Sequence, residues 1–188
     1  MNIGQLNYEM SKWPYGYVAN NVIYVDNGQY DFFKDYVIMS QNDIETYHIG
    51  TCWDLSLYIH KICKENNIFG KLFYIQSNHE DTHMWFSFEQ NHLYAFESAY
   101  KCHAGIHDFL SYEEMFYQYA KWCTNDWDTN QYFIVECNSN INLDNCQLMI
   151  PEDFMNYVLK NSNYVFGDAF LYEQACLIDW RNNDCFTM

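Results

Sequence analysis

The run from Cys52 to Glu97 constrains the fold of this chain more than any other stretch. Leu55, Ile59, Ile62 and Cys63 recur at helical spacing, which predicts one buried stripe on a helix from Cys52 to about Asn66. Asn67 and Gly70 end it. Three β-type segments then follow closely: Leu72 to Ile75, His83 to Phe88, and Leu93 to Glu97. The last two are joined by a hairpin at Glu89-Gln90-Asn91-His92. A helix feeding consecutive strands is not an alternating βαβ chain. The expected class is α+β, with the helix packed on a small antiparallel sheet and extra helices around it.

The flanks fit that class. Val22 to Val25 reads as a short strand ending at Asn27-Gly28, and Asp31 to Met39 carries Phe32, Phe33, Tyr36 and Val37 at helical spacing. Residues 40–50 read as a polar approach to Cys52. Ser111-x-x-Glu114 predicts a capping box opening a helix to about Trp122, and Tyr132 to Val135 a strand. Pro151 suits the first turn of a helix ending at Lys160, and the tail from Asn161 reads as a hairpin or an extension on the core. One domain over 1–188 is expected, its core at about 31–137 and 138–188 forming a C-terminal helix and extension.

With 188 residues, 49% hydrophobic and 20% aromatic, the chain can bury a substantial core, so disorder is not expected. The formal net charge is −16, and the nine basic residues form no stripe, which disfavours direct nucleic-acid binding. Eight cysteines are scattered without paired spacing, and Met1 to Asn20 lack the basic start and apolar run of a leader. Free thiols in a cytoplasmic protein are the expectation, with no membrane span.

Cys52 is the candidate centre of chemistry. A cysteine in the first turn of a helix faces the positive end of the peptide dipole, which favours the nucleophilic thiolate. A histidine on a strand can pair with it, and a carboxylate can then fix the ring. His83 and Glu97 follow in that order on adjoining strands. Counting outward from the turn sets Phe88 opposite Leu93 and His83 nearly opposite residue 98, one register step from Glu97.

These residues also carry a resemblance. Gly50-Thr51-Cys52-Trp53 resembles the nucleophile motif of the transglutaminase-like superfamily, and His83-Met84-Trp85 its histidine strand. Lys64 to Ile75 resembles its helix-to-strand step, and Leu93 to Glu97 its acidic strand. The resemblance covers about residues 47–110 and implies a transglutaminase-like or papain-like core with Cys52, His83 and Glu97 as a triad. The family's usual acid is aspartate, and Glu97 is one methylene longer. Trp53 and Trp85 are the expected substrate-pocket residues. Neither a metal nor a cofactor is implied.

Two other histidine patterns compete. His79-Glu80-Asp81-Thr82-His83 has the letters of a zinc-protease motif, but that motif needs a helix and here straddles a turn and a strand. His103 and His107 enclose a glycine and read as a loop. The expected activity is acyl transfer or hydrolysis of an amide (a peptide or a glutamine side chain, in a protein, peptide or small amide substrate) through a thioester at Cys52. The Cys52 N–H would be one oxyanion donor, and the second lies upstream, with Trp13, Gln41 and Tyr47 among the candidates. The alternative is a catalytically degenerate acidic binder or inhibitor facing a basic protein, such as a phage antagonist of a host factor.

Overall fold

The computed structural model describes residues 3–20, 22–25, 35–78, 82–123 and 131–178. It opens with helix α1 (Ile3–Met10) and the paired strands β1 (Gly16–Ala19) and β2 (Val22–Val25). Helices α2 (Gln41–Tyr47) and α3 (Cys52–Glu65) precede strands β3 (Gly70–Ser77), β4 (Thr82–Gln90), β5 (His92–Glu97) and β6 (Gly105–Phe109). Then come α4 (Tyr112–Cys123), β7 (Tyr132–Cys137), α5 (Leu143–Cys146), α6 (Pro151–Lys160), β8 (Ser162–Gly167) and α7 (Ala169–Leu177). The class is mixed α+β. The larger sheet runs β6-β5-β4-β3-β7-β8, antiparallel throughout.

Both faces of the sheet's centre are covered, so β3, β4 and β7 are buried over most of their length. Leu72, Tyr74, Met84, Phe86 and Phe133 join Leu55 and Ile59 of α3 and Phe154 and Val158 of α6 in one core. Alternate residues Phe73, Ile75, Trp85 and Ala95 join Met115, Phe116 and Tyr119 of α4 in a second. Ser56 Oγ donates to the Met84 carbonyl at 2.7 Å, tying α3 to β4. No helix among the described residues is long and apolar enough to cross a membrane.

Several expectations change. The segment from Tyr36 to Ser40 is not helical: the Met39 N–H and Tyr36 hydroxyl bond to Asp54, and Ile38 exchanges backbone hydrogen bonds with Leu148 and Met149. These tertiary partners outweigh the helical spacing of the apolar residues, while Phe32, Phe33 and the Asn27-Gly28 turn lie outside the described residues. Residues 40–50 contain α2, opened by Ser40, whose side chain accepts from the Asp43 N–H. Beyond 138 the chain adds a strand to the expected helix and extension: β8 pairs with β7 and widens the large sheet. Ser111 caps α4 as expected, but the Glu114 carboxylate accepts from the Leu110 N–H, one residue before the expected partner.

Candidate active site

Cys52 sits at the first helical position of α3. Thr51 is the N-cap, and the Thr51–Asp54 capping box is complete: each residue's side chain accepts from the other's backbone N–H. Asp54 does more than cap. Its Oδ1 accepts from the Tyr36 hydroxyl at 2.9 Å and the Met39 N–H at 2.8 Å, while Oδ2 accepts from the Thr51 N–H at 2.9 Å and hydroxyl at 2.8 Å. The carboxylate is fully buried, and burial outweighs these four hydrogen bonds, pushing its pKa up to about 6. The loop before Cys52 is thus fixed by a buried polar cluster that spacing alone does not reveal.

His83 and Glu97 meet at the end of the sheet where β4 begins and β5 stops. The paired register is Glu89 with Leu93 and Phe86 with Phe96, one step from the counted one. Asn91 takes a left-handed conformation (φ 65°) between Gln90 and His92, making the turn tighter than a four-residue hairpin. Continued, this register sets His83 opposite Ala99, so His83 and Glu97 are diagonal neighbours on one face. A diagonal pair is farther apart than a direct one, which suits the longer reach of glutamate. His83 Nε2 lies 2.8 Å from Glu97 Oε2, and Glu97 Oε1 accepts from the N–H groups of Ala99 and Tyr100, each at 2.8 Å.

The His83 ring packs on Tyr100 at 4.8 Å, Tyr119 at 5.9 Å and Trp85 at 6.3 Å between centroids, so its plane is held. Cys52 lies close enough for its side chain and charge to favour the imidazolium. With Nε2 committed to Glu97, Nδ1 is the nitrogen left for the thiol. Burial disfavours the imidazolium, but the Glu97 charge, the Cys52 side chain, the hydrogen bond to Glu97 and the Cys52 charge raise the His83 pKa to about 10. Burial alone would raise Glu97; His83 and the two backbone donors lower it instead. The charged pair is the favoured state.

These groups open onto a cleft of about 570 Å³, lined by Cys52, His83, Pro14, Tyr15, Tyr100 and Lys101 among others. Tyr15 was not singled out from the sequence, and no motif marks it. Neither expected pocket tryptophan lines the cleft. Trp53 is buried against Tyr36 and Phe154, and Trp85 lies between Phe73 and Tyr119. Strand alternation points Trp85 into the second core, and Trp53, on α3, is buried in the first.

The upstream donor candidates also lie elsewhere. Trp13 packs on His48 and Tyr58, Gln41 donates to Glu45, and Tyr47 is exposed on α2. His103 stacks on Trp122, and His107 bonds the His103 carbonyl at 2.6 Å, away from the cleft. His79 lies outside the described residues, and no group of three metal-ligating side chains converges among those described. Comparison with protein-family models, curated proteins and solved structures finds no match for the chain.

Proposed function

We propose that the protein is a thiol acyltransferase or hydrolase acting on an amide, with Cys52 as nucleophile, His83 as proton shuttle and Glu97 as the residue that holds the ring. The observation that carries this is the buried His83–Glu97 pair, whose remaining ring nitrogen is available to Cys52 in an open cleft. The resemblance to the transglutaminase-like superfamily points to the same chemistry and to a papain-like core. A nucleophile helix laid on an antiparallel sheet that bears the histidine and acid agrees with it.

In the first half-reaction Cys52, its proton held by His83, attacks as the thiolate: Sγ bonds to the carbonyl carbon and the C=O π pair moves onto oxygen. When the C=O re-forms, the C–N bond breaks and His83 gives a proton to the departing amine. The thioester is then attacked by water, or by an amine in a transfer. His83 takes the nucleophile's proton and Sγ leaves. The Cys52 N–H, at the first helical position, has no partner within its own helix and faces the developing oxyanion.

The test is selective labelling. At pH 7 iodoacetamide should modify Cys52 before the seven other cysteines, including exposed Cys102. Brief treatment with p-nitrophenyl acetate should leave one acetyl group, lost in a folded Cys52→Ala variant. If Cys52 reacts no faster than Cys102 and takes no acetyl group, the catalytic reading is wrong and an acidic binding protein remains.

A further inference from the structure

A second donor for the carbonyl oxygen is built into the segment that walls the cleft. Tyr15, immediately before β1, is fixed to the nucleophile's own loop. It forms a parallel bridge with Gly50, and the Gly16 N–H donates to the Gly50 carbonyl at 3.3 Å. Its hydroxyl stands 4.0 Å from Cys52 Sγ, and the half-buried side chain lines the cleft.

That separation is long for a bond to sulfur itself, but it suits an oxygen placed between the two. In a tetrahedral adduct the former carbonyl oxygen lies about 2.6 Å from the sulfur, and its donor should lie about 2.7–3.1 Å from that oxygen. A hydroxyl 4.0 Å from Sγ meets both distances at once.

We propose that Tyr15 is a catalytic residue of this site, its hydroxyl donating to the oxyanion together with the Cys52 backbone N–H. The proposal rests on the acyl-transfer reading above. No proton leaves Tyr15: its O–H is shared with the oxyanion while the tetrahedral adduct lasts, and the electron pair returns to re-form the carbonyl when the amine departs. The phenol is suited to this. Burial first, then the charge and side chain of Cys52 and the charges of Tyr100 and Asp54, hold its pKa well above the usual value, so it stays a donor. A charged rival in the cleft is Lys101, whose ammonium group donates to the Ser98 carbonyl at 2.9 Å on an exposed side chain.

Two reagents at one sulfur separate the roles. p-Nitrophenyl acetate acylates Cys52 through a tetrahedral oxyanion, whereas iodoacetamide alkylates it by displacement and forms none. Tyr15→Phe should slow acylation by about 10–100-fold while changing alkylation less than about twofold, which also reports an intact site. Lys101→Met should leave both rates near wild type. Equal losses in both reactions would mean that Tyr15 supports the thiol or the fold, and unchanged acylation would mean that it does nothing to the oxyanion. Either result overturns the proposal, as does a selective loss of acylation in Lys101→Met alone. Wild-type protein that is alkylated at Cys52 but never acetylated would instead sink the acyl-transfer reading itself.

Discussion

His83 Nε2 and Glu97 Oε2 lie 2.8 Å apart with both side chains excluded from solvent, and the second oxygen of Glu97 is held by two backbone N–H groups. The acid is therefore not a solvated strand-end residue. It is clamped on one side and oriented toward the ring on the other, an arrangement that commits Nε2 and leaves Nδ1 as the free ring nitrogen.

Replacing that acid should change the tautomer of His83. In Glu97→Gln the carbonyl oxygen can keep the Ala99 and Tyr100 N–H groups, which turns the amide NH₂ toward Nε2. Nε2 must then accept, the proton moves to Nδ1, and the nitrogen beside Cys52 can no longer take a proton. Acylation by p-nitrophenyl acetate should fall by about 10–10⁴-fold. Glu97→Asp keeps the charge but shortens a diagonal reach, so its loss should be smaller. Two variants that both acylate at the wild-type rate would remove Glu97 from the mechanism.

The same pair sets a pH dependence of stability. The folded pKa of His83, about 10, lies above its ordinary value of 6.5, so its contribution is complete below pH 6.5 and is lost as pH rises through 10. Between pH 6.5 and 8.5 the wild type should lose up to about 2–3 kcal/mol, read from urea midpoints. The thiols of buried Cys63 and Cys146 and half-buried Cys137, pushed up to about 12, 11 and 12 by burial, change the slope only above their ordinary value of 9.0. His83→Gln should flatten the slope in this window. An equal slope in both proteins would show that His83 is neutral in the fold.

The residues that lie close in sequence were legible and those brought in from afar were not. Cys52 to Asn66, and the two strands after it, declare themselves because apolar periodicity and turn residues are local signals. So does the order of Cys52, His83 and Glu97. Trp53 and Trp85 were misplaced because a motif names residues without saying which face of the sheet or helix they take. Tyr15, Tyr36 and Met39 reach the site from segments whose positions are set by tertiary hydrogen bonds to Gly50, Thr51 and Asp54, which no spacing encodes.

Gly50 should tolerate no side chain. An added Cβ would lie 2.7 Å from Leu55 Cδ2 and 2.8 Å from its Cγ, and Leu55 is fully buried and cannot swing away. Gly50→Ala should cost about 1–3 kcal/mol in chemical denaturation. Because Gly50 also carries the bridge to Tyr15, acetylation of Cys52 should slow as well. A variant with wild-type stability and acetylation rate would show that the loop yields freely.

Asp54 should matter for both stability and reactivity, through the position of Cys52. In Asp54→Asn, whichever way the amide is turned, the N–H of Met39 or of Thr51 meets a donor in place of an oxygen. The cost should be about 1–3 kcal/mol at pH 7. The sign with pH is also fixed. The folded pKa of Asp54, about 6, lies above its ordinary 3.8, so its contribution is complete below pH 3.8 and lost as pH rises through 6. The stability gap between wild type and variant should therefore widen as pH falls from 7 to 4, while Glu97, present in both, cancels. Thr51 N-caps the helix that starts at Cys52, so a displaced cap also turns the Cys52 N–H away from the oxyanion. Acylation should then fall further than alkylation does. A gap that stays constant with pH would mean that Asp54 is ionised throughout, and a variant with full acylation would mean that the nucleophile is held without it.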